Sequence, residues 1–293
     1  MEVNLPDSLG PRLELDFGRF LGGQGVPGYR LELHLGPLPP LPAGLNERFR
    51  GPHFVVFGSA DQRYVSYPHQ GWLSWNGPRV DLYAEDAECG YARLVLTIQS
   101  RLGDLLEQRG LYRVHALGLQ GGLVLLPPGG GKSTLAWELL QSGQGERLLS
   151  EDTPLVDGGG RLHSFPFRLG VRQPPCGQKR LVPFPSQSSL GGPARQLVLG
   201  AWTTEAEPRV QPLGRWQGLM PLLRDCLLGY GVPQLIELYW PLSANQRLQR
   251  ASLSARRLGA IARLLAGCRV SRLWLCPDPR ANLECLLELI DRP

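Results

Sequence analysis

The chain has 293 residues, 42% hydrophobic and 19% charged, with a net charge of +5 and a pI of about 9.0. That balance excludes a disordered chain, and the length fits one large domain or two modest ones. The basic residues are dispersed, with no Lys/Arg block. They imply mild attraction to anionic substrates and give no nucleic-acid footprint.

The opening MEVNLPDSLG has no basic stretch ahead of an apolar core, so no signal peptide is expected. No apolar run approaches the roughly eighteen residues of a spanning helix, so no membrane partner is expected. The six cysteines show no C-x-x-C spacing and no histidine at ligand distance from a pair. Reduced thiols and a cytoplasmic location are the consistent expectation.

Residues 1–88 read as a β-rich N-terminal region, and residues 89–293 as a second domain. Arg12–Phe17 and Tyr29–Leu35 alternate as strands do, and the proline-rich Gly36–Pro42 separates them from the next strands. These are Phe54–Phe57, Arg63–Tyr67 and Arg79–Tyr83. Trp72 and Trp75, near a turn, are expected to pack an antiparallel sheet. His53 and His69 are lone histidines beside prolines, and no catalytic constellation is visible here.

The period then changes. Tyr91, Leu94, Val95, Ile98, Leu102, Leu105 and Leu106 recur at three and four, which makes one face of a helix ended by Gly110. Tyr112–Leu119 reads as a strand, Gly121-Gly122 as a hairpin turn and Leu123–Leu126 as the next strand. His115 is therefore expected on the strand that pairs with the one feeding the turn at Pro127–Gly131.

That turn is the centre of the chain. GGLVLLPPGGGKSTLAWELLQSGQGERLLSED gives strand, glycine turn, Lys-Ser-Thr, helix, strand and two acids, which is the order of a phosphate-binding loop. Glycine is favoured where backbone N–H groups must approach phosphate oxygens, and a helix N-terminus adds partial positive charge. Pro128, Gly129, Gly130, Gly131, Lys132, Ser133 and Thr134 would form the cradle. Lys132 reaches the β- and γ-phosphates, and the Ser133 hydroxyl binds Mg²⁺. An acid at the end of the next strand holds that Mg²⁺ or takes a proton from an acceptor hydroxyl. Lysine occurs only at positions 132 and 179, so a chain that otherwise uses arginine has lysine where this loop needs it. One departure is Leu126, which stands where the usual G-x-x-x-x-G-K-[ST] pattern has its first glycine.

After the acids, Thr153–Asp157 and Arg161–Phe165 flank three glycines and read as a hairpin. Arg168 and Arg172 are candidate contacts to phosphate or an acidic substrate. Gln173–Pro193 is a loop by composition, carrying Lys179 as a candidate mobile cation. Gln196–Trp202 and Gln234–Trp240 read as strands and Trp216–Leu228 as a helix. Leu253–Leu265 is an amphipathic helix with Ser252 as its N-cap. Ser271–Leu275 is a strand, and Ala281–Ile290 a terminal helix after the Pro277-Asp278-Pro279 turn.

With His115, the loop and the Glu151-Asp152 pair in view, the chain resembles the HPr kinase/phosphorylase superfamily, and within it the HPr-kinase-like relatives. VHALGLQGGLVLLPPGGGKSTLAWELLQSGQGERLLSED is similar to that family's central block, and the resemblance runs over about residues 90–172. It implies an α/β (α+β) fold with a phosphoenolpyruvate-carboxykinase-like P-loop core. It implies ATP and Mg²⁺ as cofactors and a hydroxyl-bearing acceptor, either a small molecule or a Ser/Thr of a peptide or protein. By position, the resemblance puts Glu151 as general base and Asp152 near the metal with Ser133, with His115 as the active-site histidine and Lys132 on the phosphates; the residues themselves leave open which of Glu151 and Asp152 is the base. The family often forms homo-oligomers. Two departures stand out: Glu-Asp replaces the usual Asp-Asp, and the glycine-rich signature of true HPr kinases is absent, which argues against HPr as acceptor. The rival expectation is a nucleotide-binding regulatory or scaffold module without phosphotransfer. A phosphorylase running the chemistry in reverse would use the same site.

Overall fold

The computed structural model describes residues 1–23, 27–51, 53–58, 63–172, 179–185, 189–227 and 244–292. The expected strand Gln234–Trp240 lies outside them. The architecture is mixed α/β, in two compact units. The first runs to Leu105 and takes in the start of a later helix up to Ala251. The second comprises Leu106 onward and Ser252 to the C-terminal end.

Among the described residues of the first unit, seven strands form one sheet. Their order is β1 (Glu2–Asn4), β2 (Arg30–Leu35), β7 (Arg79–Ala84), β6 (Gly71–Asn76), β5 (Arg63–Tyr67), β4 (Val55–Gly58) and β3 (Glu47–Arg50). The period-two pattern sets its buried face, with Leu31, Leu33, Val65, Leu73, Trp75, Val80 and Leu82 inward. Trp72 and Trp75 sit in β6 itself. Helix α2 (Ala87–Gln108) buries Tyr91, Leu94, Val95 and Ile98. The sequence boundary at residue 88 falls at the start of this helix, whereas the compact division falls near its end.

Arg12–Phe17, expected as a strand, is instead part of helix α1 (Gly10–Phe17). Pro11 suits the first helical turn, and Leu9, Leu13 and Phe17 are buried at a spacing of four. The inward Asp16 accepts a hydrogen bond from the Tyr91 hydroxyl at 2.7 Å. Six alternating residues fit a period of two as well as a spacing of four, and the proline decides.

In the second unit the described strands of the main sheet run β11 (Leu148–Ser150), β9 (Leu117–Leu119), β10 (Gly122–Leu125), β17 (Gln196–Trp202), β19 (Arg269–Leu275), β18 (Arg209–Leu213). β10, β17 and β19 are mutually parallel, β9 and β18 run antiparallel to them, and β11, antiparallel to β9, runs the same way as β10. Both faces are covered. Leu123 and Leu125 join Leu197 in a core with Leu222 of α4 (Arg215–Leu222) and Ile261 and Leu264 of α5 (Ala244–Gly267). Val124 and Leu126 join a core with Leu135 and Leu139 of α3 (Lys132–Gln141) and Leu286 and Ile290 of α6 (Pro279–Asp291). Burial on both sides is why Leu123–Leu126 is an unbroken apolar run. Each such leucine contributes about 1.5–3 kcal/mol.

A second sheet runs β16 (Gly191–Pro193), β13 (Arg161–His163), β12 (Leu155–Asp157), β8 (Leu111–Arg113), and β14 (Leu169–Arg172) pairs with β15 (Lys179–Val182). The β12–β13 hairpin matches the one expected after the acids. Three expectations change. Tyr112–Leu119 is not one strand: β8 and β9 belong to different sheets, and residues 114–116 cross between them. Gln173–Pro193, expected as a loop, contains β15 and β16, because main-chain pairing there overrides its Pro/Gly composition. Ser252 lies inside α5, which begins at Ala244, and so caps nothing. Asp278 does cap α6, its carboxylate accepting the Arg280 N–H at 2.9 Å. No helix among the described residues is long and apolar enough to cross a membrane.

Candidate functional site

The turn after β10 has the backbone of a cradle. Gly129 (φ 75°) and Gly131 (φ 100°) occupy the left-handed region, where side-chain-bearing residues are strained. The Gly130 N–H donates to the Pro127 carbonyl at 2.8 Å, and a Cβ at Gly130 would fall 2.8 Å from that oxygen. Helix α3 starts at once, its Leu135 N–H donating to the Gly131 carbonyl at 2.9 Å. The N–H groups of Lys132, Ser133 and Thr134 precede that first bond, at the positive end of the helix.

Leu126, at the position of the missing glycine, is buried in the core. Its side chain lies over Gly200 of β17, where a Cβ would fall 2.2 Å from Leu126 Cδ2. A glycine in the neighbouring strand therefore makes room for the leucine in the loop. The Leu126 carbonyl also accepts a hydrogen bond from Lys132 Nζ at 3.1 Å.

Lys132 is 7% exposed and turns back toward the sheet. Its Nζ lies 2.8 Å from His115 Nε2 and 3.8 Å from Asp152 Oδ1, and His115 Nε2 lies 3.6 Å from the same carboxylate oxygen. Burial pushes the Lys132 ammonium below the usual lysine range, while Asp152, Glu151 and Asp225 pull it back up. The Ser133 hydroxyl donates to Glu151 Oε1. Glu151 is buried, whereas the Asp152 side chain is 43% exposed.

This arrangement departs from the expected division of the acids. Glu151 is the one beside the Ser133 hydroxyl, and Asp152 is the one beside Lys132 and His115. β11 ends at Ser150 and the chain bends at both acids, and that bend sends their side chains to different partners. Ser133 and Glu151 offer two oxygens side by side, the donor type that Mg²⁺ takes from proteins while keeping several waters.

His115 sits in the crossing between β8 and β9, not within the strand that pairs with β10. Its N–H donates to the Asp225 carbonyl, and the Val114 and Ala116 N–H groups donate to Pro154 and Asp152, all at 3.1 Å. Sequence reasoning missed Asp225. It lies in a π-helical turn, Leu223–Leu227, that prolongs α4, with its carboxylate buried and held by Arg224 at 2.7 and 3.0 Å. An Arg-Asp pair inside the apolar run MPLLRDCLL was the available signal, since charged residues enter a core only when paired.

The structure thus brings together His115, Lys132, Ser133, Glu151 and Asp152 around the turn of Pro128, Gly129, Gly130 and Gly131, with Thr134 exposed on the first turn of α3. The three further candidates belong to the β14–β15 ribbon and the residue before it: Arg168 precedes β14, Arg172 ends it and Lys179 begins β15. Arg168 lies with its guanidinium 5.5 Å from the Phe167 ring, and Arg172 pairs across the ribbon with Lys179. No family model matches this chain, and no curated protein matches it.

Proposed function

We propose that this chain is an ATP- and Mg²⁺-dependent phosphotransferase acting on a hydroxyl, with a phosphate-binding-loop core of the kind found in the HPr-kinase-like and phosphoenolpyruvate-carboxykinase-like proteins. The observation that carries the reading is the Ser133–Glu151 hydrogen bond beside the Lys132–Asp152 pair. Two acids from a distant strand end meet the two chemical residues of the loop, one acid to each.

That pairing supports the following roles. The loop N–H groups and Lys132 bind the phosphate chain and neutralise its charge. Ser133 and Glu151 would hold Mg²⁺, which would supply positive charge to offset that of the phosphates. Asp152, the more exposed acid, takes the proton of the acceptor hydroxyl. That oxygen forms a bond to the γ-phosphorus as the bond to the bridging oxygen breaks, and ADP leaves with the bonding pair. His115 orients Lys132 toward the phosphates.

The test is titration calorimetry with Mg-ATP, then an acceptor screen for phosphate transfer. Wild type is expected to bind, Lys132→Ala to lose binding, and Asp152→Asn to bind without transferring. A wild-type chain that binds no nucleotide, or a Lys132→Ala chain that transfers normally, overturns the proposal. Nucleotide binding with no transfer to any acceptor hydroxyl would leave the regulatory-module reading.

A further inference from the structure

We infer that Trp202 is the wall on which the base of a bound nucleotide stacks, an inference that rests on the phosphate-loop reading above. Trp202 is the last residue of β17, and β17 runs parallel to β10, with Leu125 opposite Leu199. Both strands therefore end at the same sheet edge, where parallel sheets present their ligand sites. The indole packs over the loop: its Cζ2 lies 3.3 Å from where a Cβ on Gly131 would stand. Glycine at 131 permits that approach without pushing the indole aside, and its left-handed backbone favours glycine as well.

Trp202 is nonetheless 51% exposed, so one part of the indole rests on the loop and the rest faces solvent. Its backbone is pinned directly afterward by the Thr203 N–H, which donates to the Leu275 carbonyl at 2.9 Å. A fixed aromatic face in contact with water at the mouth of a site is what a nucleobase needs.

The sheet order supplies the direction. β11 and β9, which bring Glu151, Asp152 and His115, lie on one side of β10, and β17 lies on the other. The acids and Trp202 thus flank the loop from opposite sides. A triphosphate laid across the loop with its reacting end at Asp152 extends its nucleoside end toward Trp202. Stacking is indifferent to the hydrogen-bonding edge of the base, so the wall accepts purines generally and gives nothing to inorganic triphosphate.

The experiment measures Mg-ATP and Mg-tripolyphosphate binding calorimetrically on the full chain, comparing wild type, Trp202→Ala, Trp202→Phe and Lys132→Ala. Loss of the stacking face is expected to weaken ATP binding about tenfold in Trp202→Ala and less in Trp202→Phe. Tripolyphosphate affinity is expected to be the same in wild type and both Trp202 variants, and Lys132→Ala to lose both ligands. Unchanged ATP affinity in Trp202→Ala overturns the inference. So does an equal loss for both ligands, which would mean that Trp202 shapes the loop. A wild type that binds tripolyphosphate as tightly as ATP removes the base wall but leaves the loop standing. A wild type that binds neither removes both readings.

Discussion

Lys132 Nζ stands 2.8 Å from His115 Nε2, and both side chains are buried. An ammonium has only donors, so with Lys132 charged Nε2 is the accepting nitrogen of this contact. The histidine thereby fixes where the lysine points. His115→Gln, which keeps an acceptor, is expected to retain most Mg-ATP affinity. His115→Phe, which keeps only the bulk, is expected to lose about 1–3 kcal/mol of it. Equal affinities for the two variants in a calorimetric titration would remove this role.

The depressed Lys132 ammonium has a signed consequence for pH. Its folded value lies below its unfolded one, so between the two the unfolded chain holds more protons and stability rises with pH. Nucleotide binding runs the other way, because phosphate oxygens favour the charged lysine. Affinity should begin to fall at a pH below the ordinary lysine range, with a proton taken up on binding there. Calorimetry in two buffers of different ionisation enthalpy reads that uptake, and none at alkaline pH would contradict it.

The two acids should separate kinetically. Glu151→Gln weakens the partner of Ser133 and is expected to raise the Mg²⁺ concentration needed for nucleotide binding. Asp152→Asn should bind Mg-ATP near wild-type strength and lose about 10²- to 10⁴-fold in transfer rate, the usual worth of a general base. The reverse pattern would make Glu151 the base, the order that the family resemblance implies.

Leu126 and Gly200 should be coupled. Gly200→Ala places a methyl 2.2 Å from Cδ2 of the buried Leu126 and is expected to cost about 1–3 kcal/mol. Leu126→Ala alone leaves a cavity and costs about 2–5 kcal/mol. The double variant should be more stable than the sum of the two losses, because the new methyl enters the vacated space. Urea denaturation of the four proteins checks this, and strict additivity would mean that the two sites do not meet.

The loop, α3, β11 and the acids were readable because each is dictated locally by its neighbours: an apolar run, three glycines, a Lys-Ser, a helical period. The helix at Gly10–Phe17 was not, because its alternation fits two periods. The break at His115 was hidden for a different reason. Val114 and Ala116 are as apolar as the strands beside them, and what ends β8 is the carbonyls of Pro154, Asp152 and Asp225, which are remote in sequence. Asp225 and Trp202 stayed invisible likewise, since nothing in their own surroundings says which loop they face. Which acid meets Ser133 depends on how the chain bends after β11, and two adjacent letters do not encode that.

The crossing from β8 to β9 is fastened by three consecutive main-chain N–H groups, each to a carbonyl on a different residue. A seam of that kind is blind to side-chain identity. Exchanging Val114 or Ala116 leaves these three bonds in place unless the newcomer is proline, which lacks the donor; what a larger residue there meets is the closed core around it. The imidazole beside Lys132 is therefore positioned by main chain, and a fault in packing next to it shows first as lost stability and only then as a misplaced lysine.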